Sequence, residues 1–549
     1  MSRFLSRARQ PLPLLLLLLA ATLAVRLPGF GQSIWFDEAC MANQRVGPWA
    51  ILLKTIYRDI HPPLYIIFMH FWNAVFGDSE VSMRIPPLLC GLASIPLTHA
   101  VGARMVGRSG ALWAALLMCL SPVHIWYSIE ARLYAPMVVS VLAGVWLLHR
   151  LLDGSCSRWM WVLFGMVLLT MISLHYYLNV YVLLLACLGY VVSRFRARPE
   201  VGRRMLMWYG GVPILLTACW VALKFTLADF DTSQGYLRPF TLAEFYRVLF
   251  QWFWTGDCIQ AGLAGPTWHP RWVLWVLFQL LGVVLFLRGL LDIFRSRGKR
   301  PEAGYPVAYL FALPAFLFVL PWIGFPDTYI ERSVLPALPF FFLIVAVGLT
   351  SIAPRWLRIA GSAAVVAMCA ANLTAYFEYD DRWTVYKPHQ DWRAAAHYLG
   401  EEIDAGGAGR PVFTTMPNPR SLSYYDDRIQ LAPYLDSTMH LFERSARIFE
   451  ERLGKSIGRR LADFTRSVAV EYDRTKAALR AGTRLLVHPI VNGTLPGEGP
   501  REGVFYLVKN HWHPPRDTTI DTLVANPRFR PVEIREYRGV TVYKMRESD

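Results

Sequence analysis

Charge is scarce in this chain, at 17% of 549 residues, none of the eight cysteines lies beyond Cys369, and no glycine-rich phosphate loop interrupts the sequence. The shortage of charge, with 54% hydrophobic residues and 20 tryptophans, excludes an ordinary water-soluble protein and describes an integral membrane protein. Without cysteines, the polar C-terminal region has no disulfide framework. Without a phosphate loop, the usual cradle for a nucleotide is missing. An internal repeat of fixed period and a low-complexity tract are absent as well.

The net charge of +16 would suit nucleic acid if it formed a stripe on a soluble domain. Instead the arginines fill short gaps between apolar runs, so no nucleic-acid partner is expected. Stretches of about 17 to 25 apolar residues cross hydrocarbon as helices. They occur near 11–28, 84–103, 110–127, 132–149, 159–174, 176–193, 205–224, 271–293, 305–323, 332–353 and 357–376, giving about eleven transmembrane helices. The leucine tract at the N-terminus reads as a retained first helix, because "RLPGFGQ" is a poor cleavage site.

Alternate gaps hold Arg3, Arg7 and Arg9; Arg104 and Arg108; Arg150 and Arg158; Arg194 to Arg204; Arg295 to Arg300; and Arg355 and Arg358, whereas the turns at 128–131, 175 and 324–331 hold no lysine or arginine. Positive loops stay inside, which predicts an N-inside, C-outside topology. The expected fold is an α-helical polytopic membrane protein. Its membrane part covers 1–378, with interfacial helices in the outer loops 29–83 and 225–270, and a soluble extracytoplasmic α/β domain covers 379–549. Cys40 and Cys258 both fall outside, where a disulfide is the alternative to two separate small apolar residues.

Ionisable residues near membrane spans are costly and tend to be functional. In this topology they gather on the outer face: Asp37 and Glu38 after the first span, His61 in "DIHPPLY", Glu130, Arg132 and Tyr134 in "SIEARLY", His175 and Tyr176 in "LHYY", and Glu331 and Arg332 in "YIERSVLPALPF". Each has an ordinary structural reading too. Asp37 and Glu38 suit a solvated helix end balancing Arg26, and His61 before two prolines suits a helix start. A transporter would instead place ionisable groups at mid-depth, where these spans have few.

In combination, the aromatic-Asp-Glu stretch, "HPPLY", "SIEARLY", "RSVLPALP" and "DWRAAAHYL" resemble the GT-C superfamily of integral membrane glycosyltransferases. They resemble most the glycosyltransferase family 39 pattern of protein mannosyltransferases and lipid A aminoarabinose transferases, over most of residues 12–400. The resemblance implies a sugar donor carried on a polyprenyl phosphate, and an acceptor lipid, glycan or protein. It also implies that Asp37 is the general base. Outward-facing candidates and the missing nucleotide loop agree with a lipid-linked donor. Glu38, rotated about 100° on a helix, is expected to orient a loop, the substrate or a divalent cation. Arg132, Arg332 and His61 are the candidates to meet the leaving phosphate, and Glu130, Tyr134, His175 and Tyr176 to line the donor pocket. The expected setting is a bacterial inner membrane with the site facing the periplasm. A polyprenyl-linked lipid transporter and a non-catalytic scaffold of envelope assembly remain as alternatives.

Overall fold

A computed structural model describes residues 12–42, 52, 56, 59, 61–153, 157–195, 199–227, 239–256, 270–296, 301–324, 329–377, 391–407, 410, 412–414, 420–426, 428–431, 485–489, 504–510, 519–526, 529–537 and 540–547. Among these the chain has nine helices long and apolar enough to cross a membrane, and a bent pair makes a tenth. It is an integral membrane protein. The count differs from the expected eleven because helix Arg158–Leu174 has 17 residues and rises only about 26 Å at 1.5 Å per residue. Every expected span nevertheless coincides with a helix.

The bent pair, Arg108–Leu120 and Pro122–Ile129, turns by 60°. Pro122 forces the residue before it out of the helical region, and Ser121 is accordingly extended, at φ −68° and ψ 120°. Proline then occupies the first turn of the new helix, where its missing N–H costs nothing. The break leaves Glu130, also extended at ψ 127°, at the end of the bent pair.

Helix Leu338–Thr350 is apolar all round and almost wholly buried, as a central helix must be. It lies very close to helix Pro270–Ser296, since a Cβ on Gly348 would run into the Leu285 carbonyl and one on Gly289 into that of Ile344. Small residues permit such approach between spans.

The expected interfacial helix after "HPP" is Leu64–Phe76, with Tyr65, Ile66, Met69 and Asn73 buried and Phe68, Phe71 and Phe76 exposed. In the second outer loop, Leu242–Tyr246 runs into a π-helical stretch, Arg247–Trp254. That stretch buries Phe250, Trp252, Phe253 and Trp254 inside the protein, and Trp254 Nε1 donates to the Phe278 carbonyl at 2.7 Å. An aromatic stripe reads alike in sequence whether lipid or protein receives it. Cys258 lies outside the described residues.

The C-terminal domain holds a mixed six-stranded sheet in the order β2-β3-β1-β4-β6-β5. Its strands are β1 Val412–Thr414, β2 Ile429–Leu431, β3 Leu485–Pro489, β4 Val504–Asn510, β5 Phe529–Tyr537 and β6 Val540–Glu547. The first four are parallel neighbours, and β4, β6 and β5 are antiparallel. Alternation in β4 covers both faces: Tyr506 and Val508 pack against helix Trp392–Glu402, while Phe505 and Leu507 pack with Ile520 and Leu523. The stretch "VAVEYDRTKAALRAG", residues 468–482, has the sequence pattern of a helix and lies outside the described residues.

Candidate active site

Asp37 and Glu38 occupy the first turn of the short helix Phe36–Ala42, where the helix dipole favours acids. Their side chains part company. Glu38 is fully buried and takes a two-point grip from Arg84, Nε to Oε1 at 2.9 Å and Nη2 to Oε2 at 2.7 Å. Its Oε1 also accepts from the Ala131 amide at 3.0 Å. Arg84 Nη1 donates to the carbonyls of Phe30 and Gln32 at 2.8 and 2.7 Å. This buried, bidentate pair stitches the 30–38 segment, the "SIEARLY" turn and helix Glu80–Met105 together, so Glu38 orients a loop.

Asp37 meets Arg332 Nη1 through Oδ2 at 3.0 Å, across 295 residues of sequence. Arg332 stands in the 3₁₀ turn Glu331–Ala337, with its guanidinium carbon 5.6 Å from the Tyr134 ring centre. Its neighbour Glu331 pairs with Arg247. Arg26, the balancing cation considered from sequence, is instead buried against the carbonyls of Thr22 and Cys119 and the His124 ring.

Glu130, Arg132 and Tyr134 are all buried. Both Glu130 carboxyl oxygens and Arg132 Nε have no hydrogen-bond partner among the described residues. Arg132 and Arg332 both act electrostatically on Glu130, His61 and His175, which places the two guanidiniums in one neighbourhood. Burial, foremost, pushes the Glu130 carboxyl up to about 8, with Asp37 and Glu38 adding and both arginines opposing. It therefore holds a proton at neutral pH and can donate as well as accept.

His61 Nδ1 lies 2.8 Å from Asp59 Oδ1, and its ring centre is 5.3 Å from that of His175. Burial, foremost, lowers the affinity of both imidazoles for a proton, and the two arginines lower it further; at His61 the Asp59 carboxylate opposes this without reversing the direction. His61 is thus a neutral hydrogen-bonding group at neutral pH, and the positive charge here rests on Arg132 and Arg332. Tyr176 accepts from Trp220 Nε1 at 3.1 Å, toward a different helix from its neighbour His175. Among the described residues no group of three or more His, Cys, Asp or Glu side chains converges to hold a metal ion.

Four residues here escaped the sequence reading. Asp59 stood two positions before His61, and Arg84 was a lone arginine in a proline-containing span; both were visible signals. Arg393 stood inside the quoted "DWRAAAHYL" motif, and Tyr425 carried no signal. The Tyr425 hydroxyl accepts from the Ile34 amide at 2.7 Å, lies 3.1 Å from Ser33 Oγ and bonds to Glu80. The Arg393 amide donates to Ser33 Oγ at 3.2 Å, and its Nη2 to the Gly31 carbonyl at 3.1 Å. The C-terminal domain thus grips on one side the segment that Arg84 of the membrane bundle grips on the other.

Tyr425→Phe removes this hydroxyl with little change of volume and strands the Ile34 amide, a cost of about 1–3 kcal/mol. Hydrogen exchange over residues 31–40 is expected to quicken and turnover to fall, with donor affinity unchanged. Unaltered exchange there would show that the outer domain does not hold the segment.

Residues 60–223 match the family model described as dolichyl-phosphate-mannose-protein mannosyltransferase. No curated protein sequence gives a significant match. Among solved structures, ArnT from Cupriavidus metallidurans in the apo state superposes with a TM-score of 0.50 at 12% identity, covering 96% of this chain and 97% of that one. The same protein bound to undecaprenyl phosphate gives 0.49 at 12% identity, with 96% and 97% covered. The archaeal oligosaccharyltransferase AglB from Archaeoglobus fulgidus, with an inhibitory peptide and a dolichol-phosphate, gives 0.42 at 12% identity over 76% of this chain and 64% of that one. The "HPPLY" and "SIEARLY" motifs both fall within the matched segment. The chain thus shares its fold with ArnT, and its residues 60–223 are similar to the dolichyl-phosphate-mannose-protein mannosyltransferase family, in agreement with the resemblance its motifs carry.

Proposed function

We propose that this protein moves a sugar from a polyprenyl-phosphate-linked donor to an extracytoplasmic acceptor hydroxyl on a lipid, glycan or protein, with inversion at the anomeric carbon. The observation that carries the reading is the meeting of Asp37 with Arg332 beside Arg132 and Glu130, a base and two cations at one end of a membrane bundle. The family description of residues 60–223 supplies the donor class.

Asp37 takes the acceptor proton as the hydroxyl oxygen attacks the anomeric carbon. The bond from that carbon to the phosphate oxygen breaks, and its electron pair leaves on the lipid phosphate. Arg132 and Arg332 meet that charge with fixed donors, so the leaving group needs no proton. Protonated Glu130 is placed to donate to a sugar or phosphate oxygen. One displacement inverts the configuration.

In the proposed topology the site and the outer domain face the periplasm of a bacterial inner membrane, as the arginine asymmetry supports. Cells lacking the protein should accumulate the sugar-loaded polyprenyl phosphate and lose that sugar from a surface molecule, read by mass spectrometry. In intact cells a cysteine at Gly407, in a cysteine-depleted background, should react with an impermeant thiol reagent. An unchanged lipid profile would reject the activity, and protection of Gly407 the orientation.

A further inference from the structure

We propose that the protein carries, at the opposite end of the bundle from Asp37, a site for the phosphate headgroup of an anionic phospholipid. A cavity of about 480 Å³ lies there, lined by Arg158, Trp161, Arg204, Trp208 and Tyr209. Two guanidiniums and three aromatic rings line it, and none of the five residues is acidic. Helix Arg158–Leu174 begins at this cavity and ends 17 residues later beside His175, about 26 Å away along its axis. The donor site and this cavity are therefore separate.

The sequence builds the cavity from two helix ends. Ser157 caps the first, accepting from the Met160 amide at 3.3 Å, so Arg158 stands at a positively polarised N-terminus. The second, Pro199–Arg204, passes into a π-helical stretch, Met205–Gly211, a geometry often found where a helix is adapted to a task. Tyr209 turns inward to 5.4 Å from Trp161 and 5.3 Å from Phe164, ring centre to ring centre, and its hydroxyl donates to the Trp161 carbonyl at 3.1 Å. Gly165 makes room for that ring, since a Cβ there would sit 3.2 Å from it. Tyr209 is thus a fixed wall, and both arginines are exposed at the rim.

The surroundings select a lipid over a free anion. Trp208 in the lining, and Trp159 and Met207 next in sequence to lining residues, are all more than half exposed, a surface that suits acyl chains and not water. Tryptophan and tyrosine favour the headgroup level. Arginine matches phosphate oxygens with a planar fork, and basic pockets between spans on the positive side of a membrane protein suit anionic headgroups. Cationic rim, aromatic wall and hydrocarbon-facing flank together have the polarity of a phospholipid.

The test uses the purified full chain, delipidated in neutral detergent and titrated with phosphatidylglycerol, phosphatidylethanolamine or inorganic phosphate under native mass spectrometry. The wild type should retain one phosphatidylglycerol in preference to phosphatidylethanolamine. Arg158→Gln with Arg204→Gln should weaken that retention about tenfold or more, as expected for lost charged hydrogen bonds. Both side chains are exposed, so melting should not change, and a variant that melts early is replaced by the single substitutions. Equal retention by variant and wild type, or equal retention of both phospholipids, would overturn the proposal. Displacement of the lipid by millimolar inorganic phosphate would also overturn it, by making the cavity a free-anion site.

Discussion

Asp37→Asn should lower turnover by about 100- to 10,000-fold, the range expected when a positioned general base is removed, while polyprenyl phosphate binds as well as before or better. The sign of the binding effect follows from the ion pair. Arg332 shares its charge with Asp37 at 3.0 Å, and asparagine keeps an oxygen there but removes the negative charge. The guanidinium then interacts more strongly with a phosphate. A purely structural Asp37 would behave otherwise, since weakening its hold on Arg332 would loosen the 3₁₀ turn and impair phosphate binding together with turnover. Turnover measured beside binding of a polyprenyl phosphate separates the two. Wild-type turnover in the asparagine variant would exclude Asp37 as the base.

Loss of either arginine should reduce turnover about 100- to 1,000-fold, the usual effect of deleting one preorganised donor at a developing charge. Arg132 is buried, and its Nε lacks a hydrogen-bond partner among the described residues. A buried donor without an acceptor is costly, and an incoming phosphate oxygen would satisfy it. Arg332 reaches the same neighbourhood from a segment 200 positions later, oriented by Tyr134 and Asp37. Lysine should rescue each alanine variant only in part, because it keeps the charge and loses the planar fork. Both substitutions should also move the acid limb of the pH–rate profile up, because both guanidiniums act on the Asp37 carboxylate and losing either raises its affinity for a proton. Phosphate binding and turnover unchanged in both alanine variants would rule out the clamp.

The membrane architecture was legible because its causes are local. Apolar length gives a helix. The gathering of Asp37, Glu130, Arg132 and Arg332 at one end followed from topology alone, since each stands at a span boundary. Their division of labour did not. Helical geometry puts Asp37 and Glu38 on different faces, but that Glu38 is buried against Arg84 depends on how helix Glu80–Met105 crosses the 30–38 segment. Likewise, Arg332 is available to Asp37 because Arg247 takes Glu331, a pairing across 84 residues. The grip of Tyr425 on Ser33 and Ile34 spans more than 390 positions and joins two domains of unlike composition. In sequence, Tyr425 is one tyrosine in a polar region.

The charge state of His61 was also hidden. Beside two arginines, a histidine in "DIHPPLY" reads from sequence as a third cation. Burial and those arginines keep it neutral despite Asp59, which concentrates the demands of the leaving phosphate on Arg132 and Arg332.

The central claim is that Asp37 and the two arginines break a bond between a sugar and a lipid phosphate. The most direct test reconstitutes the purified chain in proteoliposomes with lipids extracted from cells that lack it, adds the surface fraction from those cells as acceptor, and follows the lipid by mass spectrometry. The account predicts that sugar-loaded polyprenyl phosphate becomes bare polyprenyl phosphate as the acceptor gains one sugar mass, and that Asp37→Asn stops both changes together. Loaded lipid that crosses the bilayer intact, with no gain of mass by any acceptor, would contradict it.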